Sequence, residues 1–152
     1  MAVGKGAFIA AWAKNDDIKA APALPFAAAQ ESYAYIFAHC HSLTSTPPVV
    51  LTAMDRSVMV EAFKNTGLLS VELQTPYPDA YRCFFTAFDG CSALNRIRVN
   101  WTGDWPTQNQ ALSYWVRGVS SNGTFECYPT LDTSVRGQHG VPSNWTVDTI
   151  LT

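Results

Sequence analysis

Residues 96–118 read RIRVNWTGDWPTQNQALSYWVRG. Ile97, Val99 and Trp101 alternate with Arg96, Arg98, Asn100 and Thr102, the period of a half-buried strand. Gly103, Asp104 and Pro106 break it. Thr107 has Gln110 three residues on, the pattern of a helix N-cap completed by a capping box. Ala111, Leu112, Trp115 and Val116 then share one helical face. Arg117 suits the negative end of a helix dipole, and Gly118 the left-handed residue that ends it. The stretch predicts a strand, a turn and a short capped helix. No group in it has catalytic character.

Strand patterns continue on both sides. In LLSVELQ, Leu69, Val71 and Leu73 alternate with Ser70, Glu72 and Gln74. ESYAYIFAHCH places Tyr33, Tyr35, Phe37, His39 and His41 on one strand face and Ala34, Ile36, Ala38 and Cys40 on the other. VVLTAM, SVMVEAF, YRCFFTAF, TFECY and VDTILT are further strand material, with TPYPD, DGCS and Asn122-Gly123 as turns. Phe125 and Cys127 are expected to point inward. Residues 1–30 are rich in Ala and Pro and form an N-terminal arm, and 31–152 form one domain. No internal repeat is read. Many short strands with polar turns and one helix predict a sandwich or barrel.

The chain has 152 residues, 47% hydrophobic, 14% charged, with a net charge of −2. A typical charged fraction is about 25%, so much of the surface is neutral, and neutral surface is often contact surface. No basic field draws in nucleic acid or anionic lipid. No segment is long and apolar enough to span a bilayer, and no secretory signal is read at the start. Cys40, Cys83, Cys91 and Cys127 form no CxxC pair, and free thiols are expected. Asn100, Asn122 and Asn144 head formal glycosylation sequons.

His39 and His41 are the only metal-like pair, and no third ligand has a recognisable spacing, so no metal and no cofactor are expected. Neighbours on a strand point to opposite faces, so Cys40 cannot use His39 as its base. No phosphate loop, nucleophile elbow or zinc-protease motif is present. These features predict a chain that is not an enzyme. Arg96 and Arg98 share a strand face with Asn100 and could meet a phosphate.

Taken in order, ALPF at 23–26, FKNTGLLSVELQTPYPDA at 63–80, IRVNWTGDWPTQNQALSYWVRG at 97–118 and GTFECYPTLDTSV at 123–135 resemble the coat proteins of tymoviruses. The resemblance implies an antiparallel jelly-roll β-sandwich with one or two short helices. It also implies a structural capsid subunit that self-assembles into an icosahedral shell around genomic RNA, in the virion and, during assembly, in the host cytoplasm. Its partners would be copies of itself and RNA, without a membrane. His39, His41, Arg96 and Arg98 would face the RNA, and Trp101, Trp105 and Trp115 would lie in the core or at subunit contacts. The family's chain continues through further strands, so the sandwich is expected to be incomplete at its C-terminal end. A carbohydrate-binding β-sandwich, using exposed aromatic rings, is the alternative.

Overall fold

The computed structural model describes residues 5–24 and 31–150. It holds a single sheet of five strands, β1 (Val49–Val50), β2 (Ser70–Gln74), β3 (Arg96–Val99), β4 (Thr124–Cys127) and β5 (Thr146–Thr149), ordered in the sheet as in the sequence. Every neighbouring pair is parallel: Val49 lies opposite Leu73, Ser70 opposite Arg96, Arg96 opposite Thr124, and Thr124 opposite Thr146. A parallel neighbour cannot be reached by a hairpin, so the chain must travel back to the same end of the sheet before each new strand. Strand and return segment together make one coil, and coils of roughly 25 residues stack as a β-solenoid.

The return segments are ladders of turns. In 31–40, the amides of Ala34, Ile36, Ala38 and Cys40 donate to the carbonyls three residues back, while those of Tyr33, Tyr35, Phe37 and His39 donate to Val58, Val60, Ala62 and Lys64 of the next coil. The same division recurs in 57–66, where Met59, Glu61 and Phe63 donate to Cys83, Phe85 and Ala87, and in 82–90, where Phe84, Thr86 and Phe88 donate to Ala111, Ser113 and Trp115. Alternate amides therefore close turns and bind the neighbouring coil, which satisfies buried backbone without a helix or a regular strand. Every fourth residue adopts a positive φ, as the third residue of a type II turn must. Glu31, Tyr35 and His39 do so in one coil, and Ser57, Glu61 and Asn65 in the next. His39, Asn65, Gly90 and Gly118 occupy equivalent corners at φ +62, +54, +77 and +76. At Gly90 a Cβ would collide with the Asn65 amide oxygen, so any other residue at this left-handed corner would have to displace the Asn65 side chain.

The interior is a set of ladders running along the solenoid axis. Trp12, Phe37, Phe63 and Phe88 stack ring on ring at 5.4, 5.4 and 5.6 Å, and Trp115 meets Phe88 edge-on at 6.1 Å. Val71, Ile97, Phe125 and Val147 line up from the sheet, and Leu73, Val99 and Cys127 beside them. Trp101, Trp105 and Trp115 are all buried in this core and pack against one another at 5.8–6.3 Å. Each indole N–H finds an acceptor: Thr75 Oγ1 for Trp101, and the carbonyls of His139 and Gly140 for Trp105 and Trp115. That satisfaction lets rings this large be buried.

The antiparallel jelly-roll sandwich is therefore not the fold. Strands were expected over 68–74, 96–102, 124–128 and 147–152, and β2 to β5 overlap each of them, but alternation says which side chains are buried and nothing about the direction of the neighbour. The expectation of missing strands was measured against the jelly roll and falls with it. The short capped helix is also corrected. Gln108–Gln110 form a single 3₁₀ turn, Asn109, Gln110 and Tyr114 have positive φ, and the Thr107 side chain caps nothing. The segment 31–41 is a turn ladder, with Tyr33, Ala34, Ile36, Phe37 and Cys40 buried and Tyr35 outward. The chain does repeat: Ile36-Phe37-Ala38-His39-Cys40, Ala62-Phe63-Lys64-Asn65-Thr66 and Ala87-Phe88-Asp89-Gly90-Cys91 occupy equivalent places. Residues 8–14, assigned to the N-terminal arm, hydrogen-bond to 32–38 as one more turn ladder. Pro25 and Phe26 of the ALPF stretch, and Leu151 of the terminal strand, lie outside the described residues.

Candidate functional site on the outer face of the sheet

Alternation along each strand sends one set of side chains outward, and parallel register stacks them in rows. The strand tetrads are Ser70-Val71-Glu72-Leu73, Arg96-Ile97-Arg98-Val99, Thr124-Phe125-Glu126-Cys127 and Thr146-Val147-Asp148-Thr149. Their first residues form a row Ser70, Arg96, Thr124, Thr146, and their third residues a row Glu72, Arg98, Glu126, Asp148. Neighbouring members stand roughly 4.8 Å apart, the spacing of strands in a sheet. In a chain with 14% charged residues, this face gathers two arginines and three carboxylates.

The Arg96 guanidinium grips Glu126 with two hydrogen bonds of 3.0 Å each. That hydrogen bonding holds Arg96 above the ordinary arginine range. Arg98 approaches the same carboxylate at 4.0 Å, outside hydrogen-bond reach, and keeps 39% of its side chain exposed. The Gln74 amide donates to Glu72 at 2.7 Å. Two polar hollows flank Arg98. One of about 130 Å³ is bordered by Thr46, Pro48, Glu72, Arg96 and Arg98, the other of about 520 Å³ by Arg98, Glu126, Asp148 and Ile150. Pro48 borders the first hollow, and because proline has no amide to donate, β1 begins only after it, at Val49.

The residues expected to face RNA are not gathered in one place. Arg96 and Arg98 sit on the sheet. His39 lies at a turn-ladder corner, against Asn65 at 3.1 Å, and His41 binds Asp16 at 3.0 Å. The His41 backbone amide, and then its ring, hold the Asp16 carboxyl below the usual range. Cys40 points inward and its thiol donates to the Trp12 carbonyl. All four cysteines are buried and free, and burial raises each thiol. Among the described residues no three His, Cys, Asp or Glu side chains converge as a metal site, and no helix is long and apolar enough to cross a membrane.

Glu72, Glu126 and Asp148 were missed by sequence reasoning. Their signal is the charged third residue of each polar-apolar-charged-apolar tetrad, which becomes a row only once the strands are known to be parallel and in register. The fold and this face define a parallel β-solenoid with a charged sheet surface that the other described residues leave uncovered. No protein-family model matches the chain, and no similar curated protein or solved structure is found.

Proposed function

We propose that the chain is a recognition module without catalytic activity, and that the outer face of its parallel sheet binds a polypeptide partner through charged contacts. One observation carries the reading: the row Glu72, Arg98, Glu126, Asp148 stands in register on a face that no other layer covers among the described residues. Stacked repeats characteristically use such extended faces for binding. Mixed charge at fixed spacing gives specificity by rejecting wrongly charged partners.

Aromatic placement weighs against the carbohydrate alternative. Of the exposed rings among the described residues, Tyr35 and Tyr81 belong to the turn ladders and Tyr77 lies beyond the end of β2, its hydroxyl donating to the Asp104 carbonyl, while Trp101, Trp105, Trp115 and Trp145 are buried, so the sheet lacks a broad stacking platform. The coat-protein reading, with its shell, RNA and virion, is the competing proposal, now without a jelly roll to support it.

The test is a charge reversal. Arrayed peptides of mixed charge should bind the wild-type protein, and binding should weaken as salt rises. Arg98→Glu should redirect binding toward peptides of the opposite charge pattern. Glycan binding indifferent to Arg98→Glu would replace this reading with the carbohydrate one. Large closed particles in light scattering would restore the coat-protein one.

A further inference from the structure

The turn that leads into β4 contains the only Asn-Gly pair in the chain, Asn122-Gly123. We infer that Asn122 is a site of spontaneous covalent modification, in which the Gly123 backbone nitrogen closes on the Asn122 side chain and the amide is lost. This inference is independent of the binding proposal.

Three features place the reaction here. Asn122 is exposed in a bend, and its Nδ2 is held only by a 3.5 Å contact to the Ser121 hydroxyl. The Gly123 amide makes no backbone hydrogen bond among the described residues, while its neighbours do: Thr124 N–H donates to the Asn95 carbonyl at 2.9 Å, and Thr146 N–H to the Gly123 carbonyl at 3.0 Å. The nucleophilic nitrogen is therefore free within an otherwise pinned junction. Glycine also offers no side chain to obstruct the ring closure. At Asn15, Asn65, Asn95, Asn100, Asn109 and Asn144 the following residue is Asp, Thr, Arg, Trp, Gln or Trp.

The fold prevents the obvious protection. A Cβ at position 123 would sit 2.5 Å from the Asn95 carbonyl oxygen and 2.6 Å from the Trp145 ring. Close packing of successive coils thus demands the very glycine that exposes Asn122 to attack.

The chemistry needs only water. Gly123 N loses its proton to solvent base and attacks Asn122 Cγ. The new C–N bond forms, the Cγ–Nδ2 bond breaks, and ammonia leaves carrying a solvent proton. Water then opens the five-membered succinimide at either carbonyl. One opening leaves an ordinary aspartyl residue, with an unaltered backbone and one added negative charge. The other gives the β-linked isomer, which inserts a methylene into the backbone one residue before Gly123. That insertion strains the clamp that Asn95, Gly123 and Thr146 form at the start of β4 and β5.

The folded protein is incubated in mildly alkaline buffer and peptide-mapped over time. Asn144, exposed and followed by buried Trp145, is the internal comparator. Loss of the amide at Asn122 should outpace that at Asn144 by at least about tenfold, a barrier difference of roughly 1.36 kcal/mol. Both the ordinary and the β-linked acid should appear. Asn122→Gln, whose longer side chain would have to close a larger ring, should abolish the dominant acidic species while leaving the rest of the map unchanged. Equal rates at Asn122 and Asn144, or an Asn122 that keeps its amide while other asparagines convert, would overturn the inference.

Discussion

The two long sides of each coil solve the same problem by different means. On the strand side, as in 70–74 and 96–99, alternate side chains point in and out, and the backbone binds only its neighbours in the sheet. On the turn side, as in 31–40 and 57–66, the backbone divides its amides between its own turn and the next coil, and every fourth residue turns left-handed. The strand side leaves half of its side chains free for charged display. The turn side spends most of its side chains on the core and sends few outward. Charged display is therefore placed on the sheet, and the heaviest packing in the turn ladders and the tryptophan cluster.

That contrast is broken most directly at Trp115. It is fully buried, packed edge-on against Phe88 and at a tilt against Trp101 and Trp105, and its indole N–H donates to the Gly140 carbonyl. Trp115→Ala should lose roughly 3–5 kcal/mol in denaturant melts. Arg96→Ala, on the sheet face, should lose no more than about 1 kcal/mol, because an exposed ion pair contributes little. A Trp115→Ala protein as stable as wild type would show that the turn side does not carry the core.

A second effect comes from the buried thiols. Burial pushes the Cys83 thiol from 9.0 up to about 12. Below the lower value both folded and unfolded chains keep the proton. Between the two, the unfolded thiol ionises and the folded one does not, so unfolding releases a proton and stability falls as pH rises. The loss should reach the order of a few kcal/mol at the top of that window. Melts across the alkaline range should show a shallower decline for Cys83→Ala than for wild type. Parallel declines would mean that Cys83 does not control the alkaline instability.

The strand side was legible because alternation survives a change of topology. Val71, Leu73, Ile97, Val99, Phe125 and Cys127 share the faces expected and are buried, whereas Leu69, placed on the face of Val71 and Leu73, precedes β2 and is exposed. What alternation cannot encode is whether the neighbour runs parallel, so the row through Glu72, Arg98, Glu126 and Asp148 stayed hidden. The turn side was misread for a sharper reason. Its buried residues come in pairs four apart, as in Ala111-Leu112 and Trp115-Val116, or Cys83-Phe84 and Ala87-Phe88. A four-residue spacing lies close to the 3.6 of a helix, which is why 107–118 reads as one, whereas ESYAYIFAHCH, SVMVEAF and YRCFFTAF read as strands and are turn ladders as well. The recurrence of Phe37, Phe63 and Phe88, each followed three residues later by Cys40, Thr66 or Cys91, was the available sign of a repeat. The unequal lengths of the coils blurred it.

Glycine substitutions sharpen the contrast, because they should act with opposite signs on the two sides. Ser57 holds a φ of +52 on the turn side, whereas Ser70 opens β2. A non-glycine residue in the left-handed region is strained by about 1–2 kcal/mol, partly offset by the extra freedom glycine gives the unfolded chain. Ser57→Gly should therefore stabilise by roughly 0.5–1 kcal/mol, and Ser70→Gly should destabilise by a similar amount. Thermal melts of the two variants decide it, and a loss of stability in both would remove the left-handed corner from the account.

The smallest effect is expected at Thr107, and its smallness is the point. As a helix N-cap, Thr107 would lose about 1 kcal/mol on truncation to alanine. Its side chain makes no cap hydrogen bond, its backbone sits at φ −95 and ψ −9, and the turn that follows closes from the Ala111 amide to the Gln108 carbonyl. Nothing that Thr107 Oγ1 supplies is used by the ladder. The residue is also exposed, so truncation opens no cavity. Thr107→Ala should fall within about 0.5 kcal/mol of wild type, the range of an ordinary surface substitution. A measured loss near 1 kcal/mol, together with a gain of helical circular dichroism in the wild type over the variant, would return a capped helix to 107–118 and take the turn ladder away from that coil.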